Sequence, residues 1–326
     1  MNPLGIGIIG CGEVAAVHAR CIDQIGGARI IGCCDTDPAR AEQYRATWQA
    51  EFATRDARKI FSDPRIEAVY ICTHHDSHKP LALAAIDAGK AIFMEKPLAL
   101  HVRECEEICT AVEKSGVFFF TGFKMRFYPM IARAQIFIPN PKMIAAQMMD
   151  TRWPDAFWAN DPRKGGGNVL SEGVHTFDLL CHLANARPVR IYAEGNNFHH
   201  EGIDICDGLV ATIAFDNGAI ASVTQGDLGH PALVSKLSFQ MFEGAKTVHL
   251  YNRLKSGNFY DGEQSQTLDD PEELGYLEEN RAFLTCLQNG EPSPCDHIAG
   301  WRATMMVQKA FESVASGAPV DLAGMW

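Results

Sequence analysis

Long apolar runs are missing from this chain. The apolar opening at Leu4–Gly10 is far too short to cross a bilayer, and it lacks the basic flank and cleavage pattern of a signal peptide. Positive charge is in deficit: 29 Lys and Arg face 40 Asp and Glu, a formal charge of −11. That balance argues against a nucleic-acid or anionic-membrane partner, and the expectation is a cytoplasmic protein. No charge block or low-complexity tract interrupts the sequence, which argues against disorder. No Cys-x-x-Cys occurs among the eleven cysteines. Cys33, Cys34 and Cys72 sit in apolar strand-like runs, and Cys105 and Cys109 share a helix face. They read as buried, reduced thiols rather than disulfides or metal ligands.

What is present suits two domains: 326 residues, 47% of them hydrophobic, supply two cores. Short apolar runs at Leu4–Gly10, Ile30–Cys34, Ala68–Thr73, Ala91–Met94 and Val117–Thr121 alternate with helical patterns near Glu13–Ile25, Pro38–Ala50, His78–Ala88 and His101–Ser115. That alternation predicts a parallel sheet covered on both faces. After about residue 122 the pattern changes. Strands are expected at Ile144–Asp150, Arg190–Glu194, Leu209–Phe215, Ala219–Gln225, Leu233–Phe242 and Thr247–Tyr251, with a hairpin break at Asp216-Asn217-Gly218. One helix, Val169–Leu183, lies among them, and Pro271 to Ser316 returns to helix. The expected fold class is α/β: a Rossmann-type parallel sheet over 1–122, then an α+β domain over 123–326 on an open, mostly antiparallel sheet.

The first strand ends in Gly10-Cys11-Gly12-Glu13-Val14-Ala15, and an acid, Asp35, closes the second. Between a strand and a helix, Gly10 permits the turn and Gly12 lets backbone approach a pyrophosphate at the helix N-terminus, where Glu13 and Val14 begin. Ala15 packs helix on strand, and Asp35 accepts from ribose hydroxyls. The Asp35 carboxylate repels a 2′-phosphate and Thr36 follows it, so NAD is expected over NADP, with Arg40 close enough to temper the preference.

Three polar clusters lie where ligands bind such folds. Thr73-His74-His75-Asp76-Ser77-His78 lies at the end of the strand expected at Ala68–Thr73. Its histidines point in different directions without a carboxylate at helical spacing, so no metal is expected. Glu95-Lys96-Pro97 follows the next strand; the proline keeps Lys96 extended beside the cleft, where an amine can serve acid/base work. Gly165-Gly166-Gly167-Asn168 precedes a helix on which Ser171, His175, Asp178 and His182 share one polar stripe, opposite Leu170, Val174, Phe177, Leu180 and Cys181. Two imidazoles and a carboxylate after a glycine run suggest an active-site face.

Taken in order, Gly5 to His18, Thr73 to His78, Ala88-Gly89-Lys90, Glu95-Lys96-Pro97, Gly165 to Asp178 and the tail from Gly300 to Val320 resemble the Gfo/Idh/MocA oxidoreductase family. The resemblance implies that Glu95-Lys96-Pro97 carries the catalytic lysine, Lys96, beside the nicotinamide. It implies that His175 is the catalytic histidine, that Arg126 contacts substrate, and that Thr73, His75 and His78 fit the cofactor-side pattern. It also implies a homodimer or homotetramer built on the open sheet. One departure stands out: Ser171 occupies the place where relatives acting on inositols usually carry an aspartate, so the carboxylate that orients His175 is absent, replaced by Glu172 or replaced by Asp178, with Asp178 favoured. The expectation is an NAD-dependent oxidoreductase that moves a hydride between nicotinamide and a hydroxyl of a sugar, inositol or polyol. Trp153, Trp158 and Asn168 join Arg126 as expected substrate contacts; Arg152 and Asp155 lie in the same region and are no better placed. The rivals are an NAD-using glycosidase of the same fold and a non-catalytic dinucleotide sensor.

Overall fold

Strand β1 (Leu4–Ile9) is buried along its whole length, as an apolar run must be when helices cover both faces of its sheet. Helix α1 (Glu13–Ile25) turns Ala15, His18, Ala19, Cys21 and Ile22 inward, the i, i+3, i+4, i+7 spacing of one helical face. The alternation continues through β2 (Ala28–Cys34), α2 (Pro38–Thr47), β3 (Phe52–Thr54), α3 (Ala57–Ser62), β4 (Ala68–Ile71), α4 (His78–Asp87), β5 (Ala91–Met94), α5 (Val102–Ser115) and β6 (Phe119–Thr121). These strands form one sheet in the order β3-β2-β1-β4-β5-β6, every pair parallel. The order reverses at β1 and β4, the switch point where such sheets bind ligands. Val69, Ile71, Ile92 and Met94 pack against Ala82, Ala85 and Ile86 of α4 and Cys105, Ile108 and Val112 of α5.

The computed structural model describes residues 3–230, 235–270, 272 and 274–326. Beyond α6 (Pro129–Phe137) and β7 (Met143–Met149) comes α7 (Gly167–Ala184). It is followed by β8 (Pro188–Asn196), β9 (Gly208–Phe215), β10 (Ile220–Gly226), β11 (Leu237–Glu243), β12 (Lys246–Tyr251), β13 (Ser256–Tyr260) and β14 (Ser265–Asp269). With β15 (Val320–Asp321) they build a nine-stranded sheet in the order β14-β13-β12-β11-β7-β10-β9-β8-β15. Among the described residues only β7 and β10 pair in parallel in this sheet; the expected turn at Asp216-Asn217-Gly218 joins β9 to β10, with Gly218 at φ 81°. Helix α7 lies on one face of β7, β9 and β10. Of the expected strand at Leu233–Phe242, residues 233 and 234 lie outside the described residues, as does Pro271 at the head of the expected terminal helix.

That terminal helix is two: α8 (Gly275–Asn289) and α9 (His297–Ser316), broken where Gly290, Pro292 and Pro294 interrupt it. The compact units also divide differently from the expected 1–122 and 123–326. One comprises Met1–Lys124 with Tyr276–Trp301, the other Met125–Gly275 with Arg302–Trp326. Phe283 of α8 explains the return of the tail to the first unit, for its ring meets Tyr70 at 5.3 Å and Phe93 at 5.4 Å. All eleven cysteines are free thiols.

Candidate active site

In the first unit the glycine-rich turn joins β1 to α1. Gly10 stands at φ 87°, where an added Cβ would lie 2.5 Å from the Cys72 carbonyl oxygen, so only glycine fits. At Gly12, the N-cap of α1, a Cβ would meet no atom within 4 Å, which leaves room beside the helix N-terminus for a phosphate group. Glu13 and Val14 are exposed there. Asp35 is buried at the end of β2; its Oδ2 accepts the Cys11 N–H at 2.8 Å and its Oδ1 the Asp37 N–H at 2.9 Å. The acid is thus tied to the turn, while Arg40 stands 3.6 Å from its Oδ2. These residues fit a dinucleotide: open backbone at a helix N-terminus, and a carboxylate one strand over.

Thr73 is half-buried, and its hydroxyl accepts from the Ser77 hydroxyl at 2.7 Å. His75 is buried at the start of a short 3₁₀ turn. His78, expected among the cofactor contacts, needs correction. It is fully buried, with Nδ1 2.8 Å from the Pro97 carbonyl oxygen and Nε2 3.1 Å from that of Thr73. It braces the turn after β4 against the turn after β5 and leaves no ring nitrogen to a ligand.

Lys96 follows β5, half-buried, with a cis peptide to Pro97. Its N–H donates to Glu95 Oε2 at 3.1 Å, and Glu95 Oε1 lies 2.8 Å from His18 Nε2. Asn280 Nδ2 donates to His18 Nδ1 at 2.9 Å, which puts the ring proton on Nε2, facing Glu95; Tyr70 donates its hydroxyl proton to Asn280 Oδ1. Burial opposes the Glu95 charge, but the His18 hydrogen bond and the Lys96 and Lys124 charges prevail and hold its carboxyl below the usual range. Glu279 on α8 was not singled out from sequence. It is fully buried beside this chain, and neither carboxylate oxygen has a hydrogen-bond partner among the described residues. Burial, then the Glu95 charge, push its carboxyl well above the usual range.

In the second unit the glycine run lets the chain graze a neighbour: a Cβ at Gly165 would fall 2.2 Å from Ala159 Cα. Helix α7 follows and is buried on nearly every side. The expected polar stripe is therefore interior, with Ser171, His175 and Asp178 each at most 5% exposed. Asp178 accepts from Arg126 at both oxygens, the Nε bond at 2.7 Å, in a fork of the kind that fixes both partners. Glu172 stands 3.5 Å from Lys236, whose ammonium also donates to Asp150 at 2.6 Å. The two carboxylates expected beside His175 each have a cation partner, Asp178 in Arg126 and Glu172 in Lys236. Asn168 Oδ1 accepts from Gln225 Nε2, and Gln225 Oε1 from the Thr176 hydroxyl. Trp153 donates its indole N–H to Asp150, and Trp158 opens a 3₁₀ turn. Burial, with the Arg126 charge, pushes His182 down to about 4, so it is neutral near pH 7. Lys236 and Gln225 carried no local motif; only the sheet brings them to α7.

Residues 4–123 match the description "Oxidoreductase family, NAD-binding Rossmann fold", and residues 137–234 match the GFO/IDH/MocA C-terminal domain. The chain belongs to the GFO/IDH/MocA oxidoreductase family. This family member is 27% identical to the uncharacterized oxidoreductase YrbE of Bacillus subtilis, over 97% of its length and 96% of the relative's. It is 23% identical to the myo-inositol 2-dehydrogenase of Thermotoga maritima, over 97% and 98%. Its fold matches a levoglucosan dehydrogenase solved with NADH and levoglucosan, with a TM-score of 0.90, 20% identity and coverage of 98% and 99%. The GFO/IDH/MocA chain is thus an oxidoreductase whose first unit is an NAD-binding Rossmann domain. No helix among its described residues is long and apolar enough to cross a membrane.

Proposed function

We propose that this oxidoreductase transfers a hydride between NAD and a secondary hydroxyl of a sugar, inositol or related polyol, in the cytoplasm and as a homo-oligomer. The observation that carries the reading is the anchoring of Lys96: a buried carboxylate, Glu95, holds its backbone in the unit that carries Gly12 and Asp35. An extended, half-buried ammonium on a fixed backbone is suited to proton transfer and charge stabilisation. The names of the Thermotoga maritima relative and of the levoglucosan dehydrogenase support a cyclic, hydroxyl-rich substrate.

Bound NAD supplies the hydride acceptor. Gly12 and the α1 N-terminus would hold its pyrophosphate, and Asp35 its adenosine ribose. His175 takes the hydroxyl proton, and the Lys96 ammonium stabilises the negative charge developing on the substrate oxygen. Arg126, Asn168 and Trp153 contact the substrate. Asp178 acts through Arg126, holding the guanidinium in one orientation and balancing its charge. The deciding experiment incubates the protein and NAD with inositols, aldoses and anhydrosugars and follows NADH absorbance. Turnover on one of these classes is expected. Cofactor retained through purification with no net NADH from any of them would overturn the reading in favour of a glycosidase that oxidises its substrate transiently.

A further inference from the structure

At one end of the nine-stranded sheet, two histidines and two aspartates converge. His199 and His200 lie in the segment between β8 and β9, Asp207 closes that segment, and Asp227 follows β10. Their donor atoms all lie within 4.8 Å of one another. His199 Nε2 is 3.2 Å from Asp227 Oδ1 and 3.8 Å from Asp207 Oδ2; His200 Nε2 is 3.1 Å from Asp227 Oδ2. Four ligands held at about 2.0 Å from a tetrahedral ion stand ~3.3 Å apart, close to these separations. We propose that His199, His200, Asp207 and Asp227 form a structural site for a divalent metal of the zinc class.

Three further observations support it. The side chains of His200, Asp207 and Asp227 are fully buried, and His199 is only 21% exposed. Among the described residues, these two imidazoles are the only basic side chains within 4 Å of Asp207 or Asp227. Two interior carboxylates without a lysine or arginine call for a cation. His200 is also boxed in: its Nδ1 lies 2.7 Å from Asp155 Oδ1 while its Nε2 faces Asp227. A neutral imidazole has one N–H, so with that proton on Nδ1, donated to Asp155, the Nε2 lone pair points into the cluster. A carboxylate behind a histidine that points its other nitrogen at a metal is the usual second layer of such sites.

The carboxylates are held in place in advance. Asp207 accepts the Phe198 N–H at 2.8 Å and the His199 N–H at 2.9 Å, and Asp227 Oδ2 accepts the Trp153 N–H at 2.9 Å. A set of two imidazoles and two carboxylates suits zinc better than magnesium or calcium, which prefer oxygen alone. Four protein ligands leave no open position, so the role is structural. The ion ties together the segments after β7, between β8 and β9, and after β10, and through Asp227 it fixes the backbone of Trp153. The expectation of no metal rests on the cysteine spacing and on His74 to His78. The cluster at 199, 200, 207 and 227 has no regular spacing to reveal it.

The test strips the full-length protein with a chelator and titrates it with Zn²⁺ by calorimetry and with Co²⁺ by visible absorption. One equivalent of Zn²⁺, an intense tetrahedral Co²⁺ spectrum without thiolate charge-transfer bands, and a raised Tm on metal binding are expected. His199→Gln and Asp227→Asn should abolish that spectrum. Asp155→Asn, at a half-exposed side chain, should weaken Zn²⁺ affinity by about 10- to 100-fold. Absence of stoichiometric binding in the unmutated protein overturns the proposal and leaves His200 as a doubly protonated bridge between Asp155 and Asp227. A thiolate Co²⁺ spectrum overturns it too, as does binding that His199→Gln and Asp227→Asn leave unchanged.

Discussion

Lys96 and Glu279 are ionisable residues near Glu95, and their surroundings give them opposite roles. Lys96 keeps an ammonium on a backbone that Glu95 pins through its N–H. Lys96→Met preserves that backbone bond and removes only the charge and its protons. It is expected to lower kcat by roughly 10²-fold or more while NAD affinity, read by fluorescence titration, changes only a few-fold. Turnover close to that of the unmutated enzyme would make Lys96 merely structural. Glu279 is buried with no hydrogen-bond partner, and its carboxyl retains its proton well above the usual range. An unfolded glutamate loses that proton near about pH 4.3. Between the two values the folded chain binds the extra proton, so this group's contribution to stability is complete below the unfolded value and declines as pH rises toward the folded one. Glu279→Gln removes the decline. Thermal melts should show the variant above the unmutated protein at pH 8 and the two converging toward pH 5; a gap independent of pH would show that Glu279 ionises normally.

At the scale of elements, the loop from β1 to α1 and the end of β2 act as one device. Asp35 accepts the Cys11 N–H, so the carboxylate and the glycine turn move together, and Arg40 only partly offsets the charge at 3.6 Å. NAD is expected to exceed NADP in kcat/KM by at least about tenfold, and Asp35→Ser should narrow the ratio. Steady-state kinetics with both cofactors settles it, and equal efficiency would refute the role given to Asp35. This device was legible in the sequence because its parts are local: a buried strand, two glycines, a helix, and an acid closing the next strand. Helix α7 was legible only as a helix. Its polar stripe read as a face open to solvent or ligand, yet Asp178 meets Arg126 and Thr176 meets Gln225, partners 52 and 49 residues away. Distance in sequence hides that pairing, and a buried, satisfied polar residue carries the same letter as an exposed one. Strands β3, β13, β14 and β15 were not expected: β3 has three residues and β15 two, β13 opens on Ser256-Gly257-Asn258 and β14 is mostly exposed, so none shows the apolar run or alternation by which the other strands were read.

For the whole molecule, the return of Tyr276–Trp301 to the first unit rests on Phe283 meeting Tyr70 and Phe93, and nothing local in α8 announces those rings. The sheet of the second unit raises a different whole-molecule question. Helix α7 covers the face that carries Ile144, Ala146, Leu209, Ala211, Ala221 and Val223, all buried. The opposite face presents Met143, Val210 and Ile220, exposed by 48%, 53% and 50%, and the register sets Met143 directly beside Ile220 and Val210 beside Thr224. Adjacent large apolar side chains on a broad sheet suit a self-complementary contact, and a stable one buries about 800 Å² per partner. A second copy of this chain is the expected occupant, giving a dimer, or a tetramer if a further contact closes. Size-exclusion chromatography with light scattering at micromolar concentration should find one of these masses. Ile220→Lys with Val210→Lys would set like charges across a two-fold contact and should shift the population toward monomer, with little change in Tm of the isolated chain because both side chains already face solvent. A monomer at every concentration, or an assembly indifferent to both lysines, would place any self-association elsewhere on the surface.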